Sequence, residues 1–195
     1  MLNPVYVRMR NLTSVALFAA LTVALGGVYI PLPWSPIPIT GQTLGAMLAV
    51  GVLGARRGLQ SMLVVMVLVA VGLPVLAGGR GGLGVFVGPT AGYLIAWPIV
   101  ALFIGWVVER IPFGKSSLPL LMATNIAGAF LIYVPGVLWM SYVTSVPIQQ
   151  AVVAGVIPFI PGDMVKALAA TMATFALWRT SDPRATARTA LATHL

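Results

Sequence analysis

The chain has 195 residues, 59% hydrophobic and only 7% charged, with a mean hydropathy of +1.03. Soluble domains lie near half apolar and about a quarter charged, so this composition excludes an ordinary soluble domain and indicates a membrane protein. Having no cysteine, the chain cannot form disulfides, thiolate metal sites or cysteine nucleophiles, while its net charge of +8 raises nucleic acid as a partner until the basic residues are placed.

Each crossing of a ~30 Å hydrocarbon core takes roughly 20 residues plus a connection, which gives room for about six crossings in one bundle. The opening MLNPVYVRMRNLTSVALFAALTVALGGVYI joins basic residues to an apolar run that leads into IPLPWSPIP, not into a small-residue cleavage site. It reads as a retained first helix, about residues 12–30, and not as a signal peptide. Further apolar windows bounded by Gly, Pro and charge fall at about 41–54, 58–73, 89–109, 118–142 and 161–179. The second and third of the six are short for spanning helices. Pro98 and Pro135 lie inside helices and are expected to kink them. Residues 1–180 therefore form a single six-helix membrane domain, and the polar stretch 181–195 reads as a disordered cytoplasmic tail.

With the amino terminus in the cytoplasm, Arg8, Arg10, Arg56, Arg57, Arg110, Lys115, Arg179, Arg184 and Arg188 share one side, and only Arg80 and Lys166 lie on the other. This matches the positive-inside rule, places both termini in the cytoplasm and explains the high charge without nucleic acid. The outer connections IPLPWSPIPITGQT, GLPVLAGGRGGLGVFVGPTAGY and SVPIQQAVVAGVIPFIPGD hold nine of the fifteen prolines and are largely apolar. Irregular backbone near a membrane is tolerated where it packs on protein or lines a cavity, so these loops are expected to cap a pocket at the outer end of an all-α bundle.

Within that outer end, PGDMVK sets Asp163 and Lys166 three residues apart on one helix face that continues through Ala167, Ala170, Thr171 and Thr174. Two readings are open on the residues alone: a helix cap with a snorkelling lysine, or an ionic pair facing a ligand cavity. Arg80 lies among glycines that let backbone approach a ligand, or is a solvated loop residue. Gln42, flanked by Thr40 and Thr43, can donate and accept hydrogen bonds to a polar ligand, or cap and bridge helices. Tyr93, Phe86, Trp34 and Trp139 are outer aromatics, suited to a pocket or to the interfacial belt. Asn125 suits an interhelical hydrogen bond, and Ala16, Ala20 and Ala24 form a small-residue stripe for close helix approach or docking of another protein. The remaining acids are Glu109 and Asp182 and the single histidine is His194; no catalytic set or metal site can be assembled from them, so neither an enzyme nor a bound cofactor is expected.

IPLPWSPIPITGQTL, GLPVLAGGRGGLGVFVGPTAGYLIAW, IYVPGVLWM and GVIPFIPGDMVKAL, in this order and spacing, resemble the BioY family of biotin-specific substrate-capture subunits of energy-coupling factor transporters. The resemblance implies biotin uptake across the cell membrane by a multi-pass subunit that binds biotin at its outer face. It implies that Asp163 and Lys166 belong to the biotin pocket, with Arg80, Gly82 and Phe86 contributed by the glycine-rich stretch, where family members can carry a neutral polar residue. Ala16, Ala20 and Ala24 match the stripe by which related subunits meet a transmembrane coupling protein. That protein and a pair of cytoplasmic ATPases are the implied partners, and this chain has no Walker motif of its own. A capture subunit for another vitamin-like solute, or a non-transport six-helix protein, remains the alternative.

Overall fold

The computed structural model describes residues 3–112, 114 and 116–180. Lys115, Arg184, Arg188, Asp182, His194 and the expected disordered tail lie outside the described residues. The chain is mostly helical: α1 Pro4–Leu25, α2 Gln42–Ala70, α3 Ala91–Val108, α4 Ser117–Thr144, α5 Ile148–Gly155 and α6 Ile160–Thr180. Four helical stretches, 42–70, 91–108, 117–144 and 148–180, are long and apolar enough to cross a membrane. The 22-residue α1 is not among them; its apolar stretch shares one helix with Arg8, Arg10 and several polar residues.

Two boundaries differ from the sequence reading. Helix α1 begins at Pro4 rather than near residue 12, because the Asn3 side chain accepts from Val5 N–H at 2.9 Å and Pro4 starts the first turn, where its missing donor costs nothing. The second and third expected helices form one run, 42–70, interrupted only at Gly54, whose φ of 78° and ψ of −169° are not helical. Glycine reaches this left-handed region without a Cβ penalty. Beyond the break, Ala55 N–H would be an unsatisfied helix-start donor; Glu109, at the end of α3, accepts it through Oε1 at 2.8 Å. The expected helices at 118–142 and 161–179 agree with α4 and α6 to within about two residues. Both Pro98 and Pro135 lie inside continuous helices, α3 and α4.

Helix α2 is the centre of the packing, with α1, α3 and α6 against it, and α4 joins α3 to α6. Close approach depends on small residues, as membrane packing requires without a hydrophobic driving force between helices. A Cβ at Gly45 would stand 2.7 Å from the Thr22 backbone of α1, and one at Gly92 would stand 2.5 Å from Trp139 of α4. Interhelical hydrogen bonds add to this: Asn125 Nδ2 donates to Thr171 Oγ1 at 3.0 Å, joining α4 to α6, and Trp178 Nε1 donates to the Gly51 carbonyl at 3.1 Å.

The connections expected at the outer face carry more regular structure than an irregular-loop reading allows. The first contains a small antiparallel ladder, β1 Tyr29–Ile30 with β2 Ile39–Thr40, an exception to the all-α expectation. The last contains α5, followed by a 3₁₀ turn at Ile157–Phe159. Ala151 of α5 and Phe159 pack with Ile37, Tyr133, Val137 and Met140 in one apolar cluster, so this connection covers the bundle end rather than projecting from it.

Candidate ligand-binding site

Beneath these connections lies an open-mouthed cavity, the kind of concave site in which small molecules bind. Its wall draws on the first loop (Ile37, Thr40), the start of α2 (Gln42, Thr43), the loop after α2 (Leu76, Ala77, Arg80), α3 (Tyr93, Trp97), α4 (Ala129, Tyr133) and α6 (Asp163, Lys166). Most of the exposed wall is apolar, and Thr43, Tyr133, Asp163 and Lys166 form one connected polar set on it.

The centre of that polar set is Asp163, only 3% exposed. Lys166 Nζ donates to its Oδ1 at 2.8 Å and to Thr43 Oγ1 at 3.1 Å, while Thr43 Oγ1 donates to the same Oδ1 at 3.4 Å. On the other side, Tyr133 O–H donates to Oδ2. All of these partners are side chains, so Asp163, though in the first turn of α6, does not act as a backbone cap. The helix face below it is buried at Ala167, Ala170, Thr171 and Thr174, as the inward-facing stripe requires. A buried charge is tolerated when it is paired and hydrogen-bonded. This one is both.

Arg80 reaches the cavity wall from a tight turn. Leu76 N–H donates to the Arg80 carbonyl at 3.0 Å, and Gly79 N–H to the Leu76 carbonyl at 2.9 Å. Gly78 and Gly79, with φ of 74° and 70°, supply the left-handed residues that such a turn needs. The side chain donates from Nε to Ala77 O at 3.2 Å and from Nη1 to Thr90 Oγ1 at 3.5 Å. Burial lowers its pKa, because the charged form loses hydration there.

Gln42 lines the cavity, but its amide is engaged by protein: Nε2 donates to the Val75 carbonyl at 3.1 Å, and Oε1 accepts from Ala77 N–H at 3.3 Å. It ties down the Arg80 turn. Tyr93 also lines the cavity and donates to the Gly155 carbonyl at 3.0 Å, fixing the end of α5 over α3.

Gly82 and Phe86 are not among the lining residues. Gly82 N–H is bonded to the Val69 carbonyl at 2.7 Å, and Phe86 packs on the large apolar cluster of α2 and α3. Trp34 is 66% exposed, and Trp139 Nε1 donates to the Gly88 carbonyl at 3.0 Å. The Asp163 shell member with no polar neighbour in sequence is Tyr133, which reads as an ordinary apolar-helix aromatic. Its recognisable signal is a hydroxyl in the otherwise apolar window IYVPGVLWM.

Ala16, Ala20 and Ala24 are exposed along α1, while Val15, Ala19 and Thr22 form its buried side. The stripe is thus turned away from the bundle.

The model of the BioY family matches residues 2–182. The chain belongs to the BioY family. The biotin transporter BioY of Rhizobium etli is 45% identical over 169 residues, covering 84% of this chain and 90% of that protein. The biotin transporter BioY of Rhodobacter capsulatus is 48% identical over 166 residues, covering 80% and 87%. The crystal structure of the S-component for biotin from an ECF-type ABC transporter superposes on this BioY-family chain with a TM-score of 0.87 at 29% identity, covering 95% of this chain and 99% of that one.

Proposed function

We propose that this chain is the biotin-binding membrane subunit of an energy-coupling factor transporter and that biotin occupies the cavity around Asp163. Membership of the family, with relatives named as biotin transporters along nearly their whole length, supports the ligand. The observation that carries the site is Asp163, buried and held from both oxygens by Lys166, Thr43 and Tyr133 inside an apolar cavity.

The chemistry fits. Biotin offers a ureido ring with two N–H donors and a carbonyl, an apolar sulfur ring, and a chain ending in a carboxylate. Asp163 is an acceptor for the ureido N–H groups, and Lys166 and Thr43 beside it are donors for the carbonyl. Trp97, Leu94, Ile132 and Phe159, all on the cavity wall, bury the rings and chain. Around this site, the two limbs of α2 on either side of Gly54, with α1, α3, α4 and α6, make six crossings of the cell membrane, and the basic side of the chain faces the cytoplasm. The exposed alanine stripe of α1 meets the transmembrane coupling subunit, and a pair of cytoplasmic ATPases supplies the energy.

Calorimetric titration of the detergent-solubilised chain with biotin tests the reading. Wild type should bind, and Asp163→Asn should bind about two to three decades more weakly, since removing one member of a buried charged pair costs roughly 3–5 kcal/mol. Near-normal affinity in a folded Asp163→Asn protein would remove Asp163 from the site.

A further inference from the structure

The end of the bundle away from the cavity carries charge that the described residues do not balance. Glu109 accepting from Ala55 N–H and Arg57 Nη1 donating to Asn11 Oδ1 at 3.3 Å bring the end of α3 and the start of α1 to the Gly54 break, and Trp178 bonded to Gly51 brings the end of α6 there. Among the described residues, Arg8, Arg10, Arg56, Arg57, Arg110 and Arg179 gather at this end, with Glu109 as its one acid. Most of the balancing negative charge has to come from outside them.

Arg110 is set apart from the other arginines. It is exposed, one turn after Trp106, donates from Nη1 to the Trp106 carbonyl at 2.7 Å, and holds Cζ 3.4 Å from the centroid of the indole ring. A cation over an indole is attracted by the negative face of the ring, so the guanidinium is held in place while most of its five N–H donors stay available. That planar fork matches a phosphate. On the same side of α3, at helical spacing, Ile99, Leu102, Phe103 and Trp106 are exposed, and the rings of Phe103 and Trp106 stack 6.5 Å apart. From Ile99 to Arg110 this face runs roughly 16 Å at 1.5 Å per residue, about half of a ~30 Å hydrocarbon core. It thus has the length of one leaflet, with the cation at its polar edge. Close helix approach uses small residues, such as those exposed on α1; bulky ones suit acyl chains. Trp97, the last α3 residue on the ligand cavity wall, lies roughly 20 Å from Arg110 along the helix.

We propose that the α3 face ending at Trp106 and Arg110 is a binding surface for an anionic phospholipid, with the lipid phosphate on the Arg110 guanidinium and its acyl chains on Ile99, Leu102 and Phe103. Trp106 is the positioning residue: its ring and its carbonyl aim the guanidinium.

The test is native mass spectrometry of the purified, detergent-solubilised full chain titrated with dioleoyl phosphatidylglycerol or dioleoyl phosphatidylcholine, which share their acyl chains and differ in headgroup charge. Wild type should retain the anionic lipid about five-fold or more tightly, the scale of one basic residue meeting an anionic headgroup. Arg110→Gln should remove most of that preference, Arg110→Lys should keep part of it, and Trp106→Leu should lower it although the apolar face persists. Arg56→Gln, which removes another exposed arginine of the same end, should leave it largely intact. Equal wild-type affinity for the two lipids, or retention of neither, overturns the site and leaves the α3 face free for a protein partner. If Arg110→Gln and Arg56→Gln lower the preference alike, the arginines act as one diffuse basic surface and there is no site at Trp106. An Arg110→Gln chain that melts at a lower temperature but keeps the preference makes the arginine a helix-end residue only. Displacement of the lipid by an equal concentration of soluble glycerol phosphate overturns the proposal as well, because the acyl chains then contribute nothing.

Discussion

A carboxylate held from both oxygens has one orientation, and this fixes what Asp163 can offer a ligand. Lys166 and Thr43 converge on Oδ1, and Tyr133 takes Oδ2. Tyr133→Phe removes one charge-assisted hydrogen bond while preserving the ring's shape; such bonds are worth roughly 1.5–3 kcal/mol. Biotin affinity should fall by about ten-fold or more in calorimetry, by less than in Asp163→Asn, because the ion pair survives. Affinity equal to wild type would mean that Lys166 and Thr43 orient the carboxylate unaided. The ion pair itself was legible in the sequence because charge is scarce there and residues three apart share a helix face. Tyr133 was not, since its partner is 30 positions away and nothing local marks the pairing. Gln42 stood out as a polar residue at a helix start, open to a ligand or to a bridging role, and its bonds to Val75 and Ala77 depend on a loop more than thirty positions on that the local sequence does not place.

At the level of elements, the break at Gly54 decides how α2 can supply both Gln42 and Thr43 to the cavity and a returning limb to the bundle. Its φ of 78° suits glycine alone, and a Cβ there would also stand 3.1 Å from Glu109 Cγ. Gly54→Ala should cost about 1–3 kcal/mol from backbone strain. For a chain of this size that is roughly 2–10 °C of melting temperature, measurable by a thermal-shift assay in detergent. An unchanged melting point would show that the break relaxes into continuous helix. The sequence marked this place only by the dense cluster GARRG, from which two separate helices follow naturally. A one-residue interruption capped by an acid from α3 is a tertiary arrangement, and periodicity carries no trace of it. The same limit explains α5: IQQAVVAG is too short and too flanked by proline to signal a helix locally, and it forms because Ala151 packs under the outer cluster.

For the whole molecule, the asymmetry of α1 is the feature on which the proposed docking of a coupling subunit rests. Val15, Ala19 and Thr22 are buried on the bundle side, and Ala16, Ala20 and Ala24 lie exposed, away from the ligand cavity in both sequence and wall. A lipid-facing helix gains nothing from alanine over leucine, whereas a helix that must meet another helix closely does. Ala20→Trp should therefore leave calorimetric biotin affinity within about two-fold of wild type. Co-purification with the coupling subunit, and biotin uptake by cells expressing the full transporter, should both fall by about ten-fold, the scale of a clash of one to two kcal/mol at a packed contact. If biotin binding falls with them, the stripe serves the bundle's own packing. If uptake and co-purification stay normal, the stripe faces lipid, and the partner must be sought on another exposed surface such as the α3 face carrying Ile99, Phe103 and Trp106.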